Sequence, residues 1–181
     1  MITDGEVKLK VVTALLQAYL DILDYDGMKS ILKEAELLNL KDLRDVNPQQ
    51  TIKFSSFQNV IKGQNCLLYG CYRLLYEIGK KFSFYLFPFG KAFEEVVYEL
   101  NDLIKTNWKV EVVEKKKNSI TVEIENCVFS TEIGAPCDFF LGFLVHSLKK
   151  AIPDNRRVIY SNNTIIEPDH NTYVLILKWK K

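Results

Sequence analysis

Residues 125–146 read ENCVFSTEIGAPCDFFLGFLVH, and in this stretch a strand-like run ends in cysteine, a turn follows, and an aromatic helix begins. The apolar residues of the second part recur every three or four positions, which is the spacing of one helix face: Phe139, Phe140, Phe143, Leu144 and Leu148. Pro136 suits the first turn of such a helix, and Pro153 lies beyond its end. The stretch therefore predicts a helix over residues 135–151 that follows directly on a strand.

Strand patterns lie on both sides of this helix. Upstream, residues 109–114 and 119–125 alternate apolar and polar side chains around a turn rich in Lys and Asn, which predicts a β-hairpin. Downstream, residues 157–160 and 173–179 predict two further strands, separated by the turn-rich residues 161–171. The C-terminal half therefore predicts one small antiparallel sheet of about four strands.

Helical patterns dominate the first hundred residues. Apolar residues at helical spacing predict helices over residues 6–23, 28–38, 54–79 and 93–105, with a break at residues 24–27. The aromatic run over residues 82–89 contains Pro88, so it predicts an apolar linker. Helices first and strands last predict an α+β fold in which helices cover the sheet. At 181 residues the chain predicts a single domain over residues 1–181, with a helical N-terminal extension over residues 1–50.

Composition argues against several classes of protein. The net charge of +1 disfavours a nucleic-acid surface, which needs a concentrated excess of Lys and Arg. No apolar run approaches the roughly 20 residues of a membrane-spanning helix. The N-terminus lacks the apolar block of a secretory signal, so we expect a cytoplasmic protein whose cysteines are reduced.

Cysteine and histidine are the first candidates for site chemistry. Four residues could together supply zinc ligands: Cys127, Cys137, His146 and His170. The chain has no C-x-x-C pair, and Cys137 and His146, nine residues apart on one helix, point to roughly opposite faces. Cys137 at a helix start could also be a reactive thiolate, but the neighbouring Asp138 favours the neutral thiol. We therefore expect packed thiols and predict no metal site.

Aromatic residues are dense for a domain of this size, with 11 Phe and 9 Tyr in the chain. Core packing explains them first, since each buried aromatic side chain contributes roughly 1.5–3 kcal/mol. A pocket for a small molecule is the alternative, because such pockets are mostly apolar with a few polar groups. The residues predicted to bind a ligand there are Tyr69, Tyr72, Tyr76, Phe84, Phe87, Cys137, Phe139, Phe140 and Phe143.

Catalytic signatures are missing from the sequence. It contains no Gly-rich phosphate loop, no G-x-S-x-G elbow, no H-E-x-x-H motif and no dinucleotide fingerprint. Only two histidines are available for acid–base chemistry. The sequence therefore predicts a protein that is not an enzyme and carries no cofactor.

The order of the elements resembles a known family. Three segments carry the resemblance: the hairpin KVEVVEKKKNSITVEIENCVF, the helix CDFFLGFLVHSLKKA and the closing strand TYVLILKW. Together with the helices over residues 54–79 and 93–105, they are similar to the vinyl-4-reductase domain family. Structural relatives of that family are the small subunits of the transport protein particle (TRAPP), which tethers vesicles. The resemblance covers residues 54–181.

This resemblance implies a TRAPP-like domain that dimerises through its helices and encloses an apolar cavity for a hydrocarbon or acyl chain. Many members carry cysteines proposed to bind metal, but Ser130 stands at one such position here, so metal binding is not implied. We therefore expect a cytoplasmic, homodimeric sensing or ligand-binding domain that holds a small hydrophobic molecule. The alternatives are a dimeric protein-interaction scaffold like the tethering subunits, and a zinc- or thiol-dependent regulator that uses Cys127 and Cys137.

Overall fold

The computed structural model describes residues 5–43, 47, 49–130, 137–167 and 170–180, leaving aside the side chains of residues 162–167, 170 and 171. The helices are α1 (Leu9–Glu34), α2 (Phe54–Leu67), α3 (Tyr72–Leu86), α4 (Phe93–Leu103) and α5 (Asp138–Ala151), with a short 3-10 helix at Leu38–Asp42. The strands are β1 (Glu6–Lys8), β2 (Thr51–Lys53), β3 (Ile104–Lys105), β4 (Lys109–Lys116), β5 (Ser119–Glu125), β6 (Arg157–Glu167) and β7 (His170–Lys180). The predicted α+β class is confirmed. The predicted start of the last helix, at Ala135 and Pro136, lies outside the described residues.

The larger sheet has the strand order β4-β5-β7-β6, and its neighbouring strands run antiparallel. β5 alternates as predicted, since Ile120, Val122 and Ile124 are buried and the residues between them are partly exposed. The predicted hairpin and four-stranded sheet are therefore confirmed. β6 and β7 are longer than predicted, because their pairing continues through residues 161–167 as far as the pair Glu167↔His170.

A second sheet, with the order β2-β1-β3, joins the N-terminus to the helical part of the domain. Val7 of β1 pairs with Ile52 on one side and with Ile104 on the other. The prediction of a single sheet is wrong, because strands of two or three residues are too short to show an alternating pattern. Residues 1–50 also contribute Leu15 to the core, where it is fully buried. The division of the chain into an extension and a core stays a prediction.

The predicted break at residues 24–27 lies inside α1. Asp24 has φ 63° and ψ −173°, which is outside the helical region. Its carboxylate accepts hydrogen bonds from the backbone N–H groups of Asp26 and Gly27, at 2.9 and 3.0 Å. Asp24 therefore caps the second half of the helix, and the break is confirmed.

Residues 54–79, predicted as one helix, form the two helices α2 and α3. Gly70 lies between them with φ +78°, a backbone conformation that residues with a Cβ rarely adopt. The apolar periodicity continues across Gly70, which is why the sequence pattern did not show the turn. α3 then runs to Leu86 through much of the predicted linker, because the helix-breaking Pro88 comes only after that residue.

The backbones of α3 and α5 are in direct contact at two glycines. A Cβ on Gly79 would lie 1.8 Å from the backbone oxygen of Phe139, and a Cβ on Gly142 would lie 2.1 Å from that of Tyr76. Real Cβ atoms essentially never approach another heavy atom within 3.0 Å. Only glycine therefore allows the two helices to come this close.

Polar contacts extend the interface between α3 and α5. The Oγ atoms of Ser83 and Ser147 are 2.7 Å apart, and both residues are buried. The Lys150 ammonium donates hydrogen bonds to the backbone oxygens of Ser83 and Phe87, at 3.0 and 2.7 Å. The bond to Phe87 provides a partner for a carbonyl group at the C-terminal end of α3, where no later helical N–H group is available. Partial burial lowers the pKa of Lys150 to about 8.

The core is one connected cluster of buried apolar side chains to which every α helix and the strands β4, β5 and β7 contribute. The helices therefore cover the inner face of the larger sheet, as predicted. Within the described ranges, no helix is long and apolar enough to cross a bilayer. The cytoplasmic location stays a prediction.

Replacing Gly79 or Gly142 by alanine should destabilise the domain, because the added methyl group meets a backbone oxygen and forces α3 away from α5. We expect each substitution to lower the free energy of unfolding by about 1–3 kcal/mol, the usual cost of overpacking. Urea denaturation followed by circular dichroism measures this change. Gly90→Ala is the matched control, because a Cβ there would lie 3.4 Å from its nearest atom. Wild-type stability in Gly79→Ala and Gly142→Ala would contradict the contact.

Candidate functional site

The middle of the domain is filled by aromatic rings around Phe129. Five rings surround it at centroid separations of 5.1 to 6.1 Å: Phe57, Phe82, Trp108, Phe139 and Phe140. Aromatic side chains at these separations are in mutual contact. All six side chains are buried. We call these six rings the aromatic centre.

Four residues of the predicted ligand-binding set lie in this interior. Phe139 and Phe140 belong to the aromatic centre. Phe143 packs beside it, with its centroid 5.8 Å from that of Phe140, and Phe87 lies 6.2 Å from Phe143. These four side chains are buried and contact other rings.

Four other members of the predicted set lie at or near the surface. Tyr69 and Tyr72 are 78% and 61% exposed, and Phe84 is 47% exposed. Tyr76 is only partly buried. The turn at Gly70 explains the first two positions, because Tyr69 lies on that turn and Tyr72 on the first turn of α3. The structure does not bring these residues together with the buried phenylalanines.

The predicted apolar cavity between the aromatic helices is wrong for the part of the chain that the structure describes. The centroid of Phe82, on α3, lies 5.4 Å from the centroids of both Phe139 and Phe143, on α5. Contacting rings therefore occupy the space between the helices. Periodicity predicts which side chains face inward, but it does not predict whether they leave a void. A ligand-binding role for single members of the set stays a prediction.

A chain of hydrogen bonds, buried at its Tyr19 end, runs from α1 to the aromatic centre. Tyr19 Oη donates to Gln64 Oε1 at 2.9 Å, and Gln64 Nε2 donates to Asn65 Oδ1 at 3.0 Å. Asn65 Nδ2 then donates to the backbone oxygen of Phe129 at 3.1 Å. Burial raises the pKa of Tyr19 well above its ordinary value, so the phenol stays protonated. Sequence reasoning missed this chain, because residues so distant in sequence carry no shared pattern.

Cys127 and Cys137 also form hydrogen bonds near the aromatic centre. Cys127 shares a side-chain hydrogen bond with Tyr173. Cys137 Sγ donates to the backbone oxygen of Phe129 at 3.2 Å. Burial raises the pKa of both thiols, that of Cys137 to about 12, so neither is a thiolate at neutral pH. Among the described residues, no group of three or more His, Cys, Asp and Glu side chains is placed to hold a metal ion.

An open groove of about 770 Å³ lies between α4 and β4. The α4 wall consists of residues at helical spacing: Glu94, Val97, Tyr98, Asn101 and Asp102. The opposite wall is β4, the edge strand of the larger sheet, over residues 109–115. Tyr98 is 80% exposed, and Val113 is half-exposed at an irregularity in the pairing of β4 with β5. The groove therefore combines apolar and charged groups.

Two contacts span this groove. The Asn101 side chain donates to the backbone oxygen of Val110 at 2.7 Å and accepts from its N–H at 3.0 Å, so it pairs with the edge of β4 as a neighbouring strand would. Further along, the Lys115 ammonium donates to the Glu94 carboxylate, and this hydrogen bond lowers the pKa of Glu94. Sequence reasoning missed the groove, because neither element alone shows how α4 and β4 pack.

The fold has counterparts among solved structures. An oxygen-binding H-NOX domain related to soluble guanylate cyclases matches with a TM-score of 0.65 at 18% identity, over 97% of this chain and 96% of that one. An H-NOX mutant from T. tengcongensis matches with a TM-score of 0.62 at 18% identity, over 96% and 97% of the two chains. The Fe(II) unliganded H-NOX protein from K. algicida matches with 0.61 at 15%, over 97% of both chains. No protein-family model and no curated protein matches the sequence. This chain therefore has the H-NOX fold over nearly its whole length.

The resemblance to the vinyl-4-reductase family and the TRAPP subunits is wrong, since the structures that share this fold are H-NOX domains. That resemblance was the basis for predicting hydrocarbon or acyl-chain binding, a TRAPP-like scaffold and a homodimer. These three predictions are therefore no longer supported. The zinc- or thiol-dependent regulator has no counterpart among these structures either. The matched oxygen-binding H-NOX domain shares the fold of this chain, and the prediction that the chain is not an enzyme stays a prediction.

Thiol labelling should separate the four cysteines into two classes. Cys66 and Cys71 are exposed, whereas the protonated thiols of Cys127 and Cys137 are committed to contacts near the aromatic centre. We expect a thiol reagent at pH 7 to label the first pair quickly and the second pair only after denaturation. Mass spectrometry of peptides at timed intervals measures this order. Labelling of Cys137 in the folded protein as fast as that of Cys66 would contradict the raised pKa of Cys137 and its hydrogen bond to Phe129.

Proposed function

We propose that this chain is a sensing domain, a non-enzymatic module of the H-NOX fold that binds a small ligand and changes its arrangement in response. Its fold likeness to an oxygen-binding H-NOX domain supports this class of function. The main support for a binding site is the open groove between α4 and β4, which has a volume of about 770 Å³. Small-ligand pockets typically have volumes of about 300–1,000 Å³.

The lining of the groove favours an amphipathic ligand. The exposed side chains of Tyr98 and Val113 offer surface to a flat apolar group. Charged side chains lie along the same walls, where Lys109 pairs with Glu111. Such exposed ion pairs contribute only about 0–1 kcal/mol, so a charged group of a ligand can replace one partner at little cost. We therefore expect a ligand that combines an apolar part with a charge.

α4 connects the groove to the core. On its inner side Phe93, Val96 and Leu100 are buried, and on its outer side Asn101 is bonded to the backbone of β4. A ligand that widens the groove must break the Asn101 contact or shift the buried side chains. Binding would thus favour one of two arrangements of α4, which is how a ligand shifts a conformational equilibrium.

Haem-dependent gas sensing is the second candidate. Structures that share this fold include an oxygen-binding H-NOX domain and one solved to probe haem distortion in the H-NOX family. The interior of this chain does not fit the cofactor, because the rings around Phe129 are in mutual contact over the described part of the molecule. The proposed sensing therefore does not require haem.

An NMR screen of small amphipathic molecules against nitrogen-15-labelled protein tests the proposed function. We expect the strongest binders to shift the backbone amide signals of residues 94–102 and 109–115. Tyr98→Ala should weaken these binders roughly tenfold, since an aromatic contact at the centre of an interface commonly contributes that much. Tyr69→Ala is the matched control, because it removes an equally exposed tyrosine that lies outside the groove.

Two results of this screen would contradict the proposal. Binders that shift amides elsewhere, or that bind Tyr98→Ala as tightly as Tyr69→Ala, would rule out the groove as the site. A broad screen that yields no binder would rule out ligand sensing by this domain.

A further inference from the structure

A haem cofactor makes two demands on a protein interior. The flat macrocycle needs an apolar slot, and its iron needs an axial donor such as His, a Cys thiolate or Tyr. Both demands can be compared with the described residues of this chain.

The aromatic centre leaves no slot of this kind. Phe129 occupies the middle, and its centroid is only 5.1 Å from those of Phe139 and Phe140 on α5. On the other side, Phe82 of α3 lies 6.0 Å from Phe129. Rings at these separations touch, so a macrocycle could enter only by displacing several of them.

His146 is a competent donor that lies beside the close contact between α3 and α5. Its partial burial, together with Lys150 and Lys80, lowers its pKa to about 4, so the imidazole is neutral at pH 7 and able to bind iron. His146 lies one helical turn after Gly142, where the backbones of α5 and α3 touch. A macrocycle beside the imidazole would therefore have to separate the two helices.

The other donors near the aromatic centre already have partners. Tyr19 Oη donates to Gln64 Oε1 at 2.9 Å. Cys137 Sγ donates a hydrogen bond to the backbone oxygen of Phe129 at 3.2 Å, and Cys127 shares a hydrogen bond with the side chain of Tyr173. Binding iron through Tyr19 would break a buried hydrogen bond and leave Gln64 Oε1 unsatisfied, which costs about 1–3 kcal/mol, and binding iron through Cys137 would break its bond to Phe129.

We infer that this domain binds no haem, because aromatic rings in mutual contact fill its centre. The possible iron ligands around that centre are hydrogen-bonded within the protein or, in the case of His146, lie beside the close contact of α3 and α5. The inference rests on the proposed sensing function and deepens it, since sensing is then independent of haem. The same fold carries haem in proteins that it resembles, where structures were solved to study haem distortion. The fold alone therefore does not decide the cofactor, and the side chains of the interior do.

A haem titration of the whole chain tests the inference directly. The protein is expressed with added iron and haem precursor, purified, and then titrated with hemin beside an oxygen-binding H-NOX domain. We expect the H-NOX domain to develop an intense Soret band at one haem per chain, and this chain to show none after gel filtration. Because the titrated protein contains residues 1–181, the test includes His170, whose side chain lies outside the described part of the structure. A stable Soret band at one haem per chain would overturn the inference.

Opening the aromatic centre provides an independent readout. Phe129→Ala removes the middle ring and should leave a dry void, which small apolar molecules such as benzene can enter. We expect benzene to raise the melting temperature of Phe129→Ala and to leave that of the wild-type protein unchanged. Phe89→Ala is the control, because Phe89 is 81% exposed.

Wild-type protein that benzene stabilises as strongly as Phe129→Ala would show an existing void and overturn the inference. The wild-type measurements decide the question even if Phe129→Ala does not fold. The result is also separable from the proposed function. Haem binding would overturn this inference alone, whereas a failed ligand screen would overturn the sensing proposal and leave the haem result standing.

Discussion

The backbones of α3 and α5 touch at Gly79 and Gly142, where an added Cβ would lie 1.8 and 2.1 Å from a carbonyl oxygen. This approach places Phe82 of α3 with its ring centroid 5.4 Å from that of Phe139 on α5. Phe129 then completes the packing from the segment that follows β5. The closed centre therefore depends on two residues without side chains as much as on the number of aromatic rings.

With a closed centre, the ligand site that we propose lies at the outside of the domain. Between α4 and β4, the paired hydrogen bonds of Asn101 to Val110 connect the two walls of an open groove. Two structures of this fold were solved to study haem or porphyrin distortion, whereas aromatic rings in mutual contact fill the centre of the described part of this chain. Function in this fold is set by the site and not by the topology.

Local patterns predicted much of the fold and little of the site. The hairpin over β4 and β5, the aromatic face of α5 and the break at Asp24 were all visible, because each depends on residues close in sequence. The turn at Gly70 was hidden by apolar residues on both sides of it, and β1 to β3 were too short to show a period. The filled interior and the groove depend on how elements pack together, which no single segment encodes. The family resemblance was misleading for the same reason, since it rested on the order of elements.

The filled interior can be measured directly by solving a crystal structure of the wild-type protein under xenon pressure, since xenon enters dry apolar cavities of sufficient size. The account predicts that no xenon binds among Phe82, Phe129, Phe139 and Phe140. Ordered xenon between these rings, or density for a porphyrin there, would contradict it.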